Sequence, residues 1–217
     1  MKTKLTFILF FSSLLVFCQK KSEDSVATTK TSREFMVGVD VLNAGLGVFS
    51  DNKIFQGYIS SKVSDKVHAL VEAGYGKNQY DKSGYLADAS GFFFKAGGFY
   101  MLSQDSQNHY NGFYAGPKIG ASFYKQEYHK VPIRGYQGGD YYDSFPQSSQ
   151  SSYWLEAGIG GRVQLFDSQF YIDVQVQPRY LMYTTKQDDI KPMTVPGFGK
   201  SSSGFNMGFS WNIAYRF

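Results

Sequence analysis

Phe205-Asn206-Met207-Gly208-Phe209-Ser210-Trp211-Asn212-Ile213-Ala214-Tyr215-Arg216-Phe217 decides the fold. Its odd positions hold Phe, Met, Phe, Trp, Ile, Tyr and Phe, and its even positions Asn, Gly, Ser, Asn, Ala and Arg. A strand sends successive side chains to opposite faces, so this segment has one apolar and one polar face. The same parity sets Phe170, Ile172, Val174, Val176 and Pro178 against Tyr171, Asp173, Gln175, Gln177 and Arg179. It also sets Leu155, Ala157, Ile159, Val163 and Leu165 against Glu156, Gly158, Gly160, Arg162 and Gln164.

Working outward from these three, the chain from Glu34 onward divides into eight alternating segments, near 34–44, 53–63, 67–77, 91–103, 110–125, 152–166, 169–184 and 204–217. Turn-forming Gly, Ser, Asp, Asn and Lys lie between them. Connections near Ser64–Lys66, Gln104–His109 and Asp167–Ser168 read as tight. Those near Asn78–Ser90, Gln126–Ser151 and Lys186–Ser203 read as long, and that near Ala44–Asn52 as intermediate. Short turns on one side and long loops on the other are the pattern of outer-membrane barrels. The expected fold is therefore all-β, an eight-stranded antiparallel up-and-down transmembrane β-barrel, with both ends on the periplasmic side.

Alternation alone also fits a soluble ligand-binding barrel with its apolar face turned inward. Two features favour the opposite orientation. Gly38, Gly74, Gly97, Gly116, Gly120, Gly158, Gly160 and Gly208 share the polar face, where a narrow interior needs small residues beside long ones. On a solvated outer face they would only weaken the strands. The polar face also carries Glu34, Asp40, Glu72, Glu156 and Asp173 with Lys62, Lys95, Lys118, Arg162, Arg179 and Arg216, a nearly balanced set that predicts an ion-paired interior. Facing lipid, each Arg or Lys at mid-bilayer would cost about 2–4 kcal/mol.

The N-terminus reads Met1-Lys2-Thr3-Lys4, an apolar run from Leu5 to Phe17, then Cys18-Gln19-Lys20-Lys21, the order of a secretory signal peptide. Residues 1–18 are expected to be that signal, 19–33 a flexible periplasmic tail, and 34–217 the barrel. Cys18 is the only cysteine. Either cleavage beside it or its lipidation leaves no disulfide possible. The formal charge of +4 falls to about +2 without Lys2 and Lys4, too small an excess to predict nucleic-acid binding.

Tyr215-Arg216-Phe217, with Trp211 and other aromatics at alternate positions, resembles the terminal signal by which outer-membrane barrels are recognised for assembly. Val16-Phe17-Cys18-Gln19 is similar to signal-peptide endings common among flavobacteria. Tyr153-Trp154-Leu155-Glu156, then Val195-Pro196-Gly197-Phe198 and the closing strand, resemble a Bacteroidota family, domain of unknown function 6048. The resemblance spans nearly the whole mature chain. It implies the barrel fold and transfers no site.

The candidate sites follow from the faces. Charged residues inside a barrel either line a selective path or fill the interior, and eight strands leave just enough room for side chains. A filled interior is the expectation. His68 is expected to point inward, His109 to lie in a turn and His129 in the longest loop, where Ser144 is a nearby hydroxyl. No spacing enforces a catalytic pairing, and no enzyme is expected. Three scattered His give no zinc-ligand spacing; Asp140 with Asp143, and Asp188 with Asp189, read as solvated charge, and no cofactor is expected. The 126–151 loop carries Tyr128, Tyr136, Tyr141, Tyr142 and Phe145 among Gly, Ser and Gln, a composition suited to surface contact. The expected partners are outer-membrane lipid, the barrel-assembly machinery and a surface ligand or protein met by that loop.

Overall fold

The computed structural model describes residues 34–135, 140–187 and 190–217. The expected signal peptide, tail and Cys18, together with Tyr136, Asp188 and Asp189, lie outside the described residues. Eight antiparallel strands close on themselves. They are β1 (Phe35–Asp40), β2 (Lys53–Lys62), β3 (Val67–Lys82), β4 (Tyr85–Met101), β5 (Gly112–Arg134), β6 (Asp140–Gln164), β7 (Phe170–Thr184) and β10 (Phe205–Arg216). A helix, α1 (Val41–Leu46), follows β1, and a small hairpin of β8 (Thr194–Val195) and β9 (Gly199–Lys200) precedes β10. Each barrel strand pairs with its chain neighbour, β7 with β10, and β10 closes on β1 from Met36↔Arg216 to Asp40↔Asn212.

The register places the faces as the alternation predicts. Met36, Tyr58, Glu72, Lys95, Lys118, Trp154, Glu156, Arg162, Asp173 and Asn212 are buried inside, whereas Val37, Val71, Phe94, Ile119, Leu155, Val174 and Trp211 are exposed outside. Gly120 and Gly208 show why small residues sit inward. A Cβ at Gly120 would overlap the Trp154 indole, and one at Gly208 the Arg179 guanidinium.

Several boundaries differ from expectation. The first strand stops at Asp40, whose Oδ1 accepts the Asn43 backbone N–H at 3.1 Å and caps α1. The stretch 78–90 is not a loop: β3 and β4 continue to a turn at Ser83-Gly84, both with positive φ (56° and 81°), as tight hairpin turns require. Likewise 126–151 is mostly a hairpin, with β5 running to Arg134 and β6 starting at Asp140. Polar residues such as Lys77, Gln79, Lys125 and Ser149 keep the period of two; they change what the outer face meets without ending the ladder. Loop length is therefore not what distinguishes the ends of this barrel. The near end carries the connections 63–66, 102–111 and 165–169. The far end carries α1, the overhanging β3–β4 and β5–β6 hairpins and the β8–β9 segment.

Candidate functional site

Interior side chains are stacked in layers along the barrel. At the near end Met36, Tyr58, Leu70, Phe99, Met101, Tyr110, Tyr114, Tyr171 and Ala214 form an apolar cluster. His68 belongs to this layer, stacked on Phe99 with centroids 4.8 Å apart, and neither ring nitrogen has a hydrogen-bond partner among the described residues.

Above it lies Arg162 with Asp173, which face each other across β6 and β7. Asp173 Oδ2 accepts from Arg162 Nη2 at 2.7 Å, Arg162 Nε at 3.0 Å and the Tyr58 hydroxyl at 2.9 Å. Tyr114 donates its hydroxyl to Oδ1. The Arg162 guanidinium also lies 5.3 Å and 5.5 Å from the ring centroids of Phe99 and Tyr114. Buried charge is tolerable only when paired and hydrogen-bonded, and here one carboxylate supplies all of the counter-charge.

The next layer is a closed ring of four charges. Register alone pairs Glu72 with Lys95 and Lys118 with Glu156, and side-chain length closes the ring across the lumen. Lys118 Nζ lies 2.7 Å from both Glu72 Oε1 and Glu156 Oε1. Lys95 Nζ lies 3.0 Å from Glu72 Oε2 and 3.3 Å from Glu156 Oε2. The Lys95–Glu72 contact is an ion pair without hydrogen-bond geometry. Arg179 Nε reaches Glu156 Oε2 at 2.9 Å, and its remaining N–H groups donate to Phe198 O at 3.1 Å and to Gln177 Oε1. Arg179 makes this layer net positive, and those two neutral oxygens share the excess.

Over the ring, where the composition predicts a loop, sits a cap. Val195 and Phe198, on the β8–β9 hairpin, are fully buried with Phe93, Tyr124, Trp154 and Ala89. Phe198 meets the Trp154 indole edge-on at 5.8 Å. Gly197, at φ 78°, turns the hairpin tip onto the Phe93 ring, where a Cβ would clash. Asn78 Nδ2 and Asn206 Nδ2 hold the hairpin through Thr194 Oγ1 at 3.0 Å and Phe198 O at 2.7 Å. Val195-Pro196-Gly197-Phe198 was legible as a motif, but no periodicity could say that it folds into the barrel.

Of the eleven residues expected in one interior network, four stand apart from both charged layers. Asp40 is buried but caps α1 and accepts from Gln56 Nε2 at 2.6 Å. Lys62 pairs with Asp65 in the β2–β3 turn at 3.2 Å. Glu34 accepts from the Tyr110 hydroxyl at 2.6 Å, and Arg216 lies over the Tyr110 and Tyr171 rings. These four sit at strand ends, where capping, turn and rim residues take them up.

The expected contact loop divides too. Tyr128 is 1% exposed, packs edge-on against Phe145 and donates to Lys191 O at 3.1 Å. Tyr141 and Tyr142 are exposed, and Lys130 Nζ sits 4.0 Å above the Tyr142 ring. His129 turns to Asp88 (3.1 Å) and Glu127 (3.7 Å), while the Ser144 backbone is held by Asp143, so these contacts give His129 and Ser144 no shared site. Trp211, Tyr215 and Phe217 all face outward, with Tyr215 edge-on to Phe170 at 5.1 Å.

One solved structure, the crystal structure of the N-terminal β-barrel domain of Pseudomonas aeruginosa OprF, aligns with 85% of this chain and 97% of that domain, at 10% identity and a TM-score of 0.34. The architecture above rests on this chain's own strand pairing and not on that likeness. No curated protein matches the chain. The model of the domain of unknown function DUF6048 matches residues 1–217, and the chain belongs to that family.

Proposed function

We propose that this chain is an integral outer-membrane β-barrel of a Bacteroidota bacterium, with a non-enzymatic structural or surface-contact role carried by its far end. The observation that carries this reading is the outer face. From Val67 to Tyr75 on β3, Phe113 to Phe123 on β5 and Tyr153 to Val163 on β6, every outward residue is uncharged, and most are large and apolar. The outward positions of β7 and β10, from Phe170 to Met182 and from Phe205 to Phe217, carry no charge either. Such runs match the roughly 9–11 residues with which a tilted strand crosses a bilayer. An apolar belt on all eight strands far exceeds the few hundred Å² patch a soluble monomer ordinarily exposes.

The layered interior favours a scaffold over a conduit, because ion-paired, aromatic and capped layers succeed one another along the axis. A carrier of apolar ligand would need the opposite faces. Outer-membrane lipid and the barrel-assembly machinery are the partners this reading requires, with Trp211, Tyr215 and Phe217 as the assembly signal. Among the described residues of that hairpin, Tyr141 and Tyr142 are exposed aromatics available to a surface partner. Washed membranes from expressing cells test the reading. The protein should resist alkaline extraction and run differently on a detergent gel before and after boiling. Recovery in the soluble fraction with one mobility would overturn it.

A further inference from the structure

The ladder places an outward-facing cationic row directly beyond the apolar belt across β2 to β6. Cross-strand partners run Lys53↔Lys77, Lys77↔Ser90, Ser90↔Lys125 and Lys125↔Ser149, a single line across β2 to β6. Two residues nearer the belt the partners run Phe55↔Tyr75, Tyr75↔Phe92 and Phe92↔Phe123. Phe55, Phe92 and Phe123 are each more than half exposed. Two residues along a strand is about 7 Å, so three ammonium groups stand one step above a shelf of aromatic rings.

The same wall is concave. Tyr75, Phe92, Phe123, Lys125, Ser149 and Ser151 are among the residues lining a groove of about 620 Å³. Ser90 and Ser149 flank Lys125 on both neighbouring strands, and their small side chains leave the depression. None of Lys53, Lys77 and Lys125 makes an ion pair among the described residues. The nearest carboxylates in the ladder, Asp88 and Glu127, lie one step further from the belt, and both are turned to His129. The outward positions of β7 and β10 carry no cation at all.

We infer that this wall binds an anionic lipid of the surrounding leaflet, its phosphate headgroup on Lys77 and Lys125 and its acyl chains along Phe92 and Phe123. The inference rests on the membrane reading above. Charge complementarity selects the occupant: unpaired cations attract phosphate, and juxtamembrane lysines concentrate anionic lipid. Aromatic rings immediately below them suit the glycerol and upper acyl region.

The test uses the protein in vesicles of phosphatidylcholine, with or without a minor fraction of phosphatidic acid, followed by native mass spectrometry of retained lipid. Wild type and a Lys66→Gln control in the β2–β3 turn should retain phosphatidic acid over phosphatidylcholine. Retention should drop about fivefold for each of Lys77→Gln and Lys125→Gln. Insertion with the heat-dependent gel shift but no lipid selectivity, or equal retention by the double variant, would overturn the site and leave the membrane reading standing. Displacement of the bound lipid by inorganic phosphate alone would also overturn it, by showing an anion site without lipid. Failure to insert in either vesicle would remove both.

Discussion

The two buried charge layers solve the same problem differently. In the Glu72/Lys95/Lys118/Glu156 ring each cation lies against two carboxylates, and the four residues come from β3, β4, β5 and β6. In the layer below, Arg162 has one carboxylate, that of Asp173 on the adjacent strand, and the remaining support comes from hydroxyls and rings. A ring is redundant because losing one of its four members leaves each of the other three with an opposite neighbour. A single pair has no such reserve, so the barrel should be most fragile where it holds the fewest charges.

The largest effect is expected at that pair. Asp173→Asn keeps the shape and leaves the Arg162 guanidinium buried without its counter-charge, a change that typically costs about 3–5 kcal/mol. Urea unfolding in vesicles should show the midpoint falling by that equivalent at unchanged slope. A loss under about 1 kcal/mol would mean that the Tyr58 hydroxyl and the aromatic faces suffice for Arg162, and the contrast between the layers would collapse.

The ring should yield less. Glu72→Gln removes one carboxylate, but Lys95 and Lys118 keep Glu156 at 3.3 Å and 2.7 Å. The hydrogen bond from Lys118 to Glu72 Oε1 keeps an acceptor oxygen but loses its anionic partner, which sets the expected cost at about 2 kcal/mol by the same unfolding measurement. A cost equal to that of Asp173→Asn would show that sharing does not soften the loss.

The two layers were not equally legible. Parity in the closing strand and its neighbours gave the faces, and balanced charge on the polar face gave an ion-paired interior, because period-two alternation is local and survives folding unchanged. The partners were not local. Lys118 and Glu156 are ladder neighbours, but Lys118 reaches Glu72 across the lumen, a contact fixed by barrel closure. Tyr58 and Tyr114 belonged to the site without any charge to announce them. Strand ends are hidden for a different reason: the outer face changes from apolar to polar at Lys77 and Lys125, and such a change looks like the end of a strand. The Val195–Phe198 cap looks like loop in the sequence because its burial depends on the cavity beneath it, which no stretch of sequence contains.

Those unannounced hydroxyls allow the finest test of the comparison. Tyr114→Phe deletes the donor to Asp173 Oδ1 and leaves the ring, so packing against Phe99 (centroids 4.5 Å apart) is kept and no cavity forms. Tyr58 still donates to Oδ2, and Arg162 still holds it twice. What remains is one carboxylate oxygen without its hydroxyl, worth about 1.5 kcal/mol for a hydrogen bond to a charged acceptor. In the Asp173→Asn background the same substitution should cost clearly less, since the acceptor has lost its charge. That non-additivity, read from a double-mutant cycle on urea midpoints, separates support of the ion pair from packing of the ring. If Tyr114→Phe costs the same in both backgrounds, the hydroxyl is not supporting the pair, and Arg162–Asp173 stands as an isolated bridge among aromatic side chains.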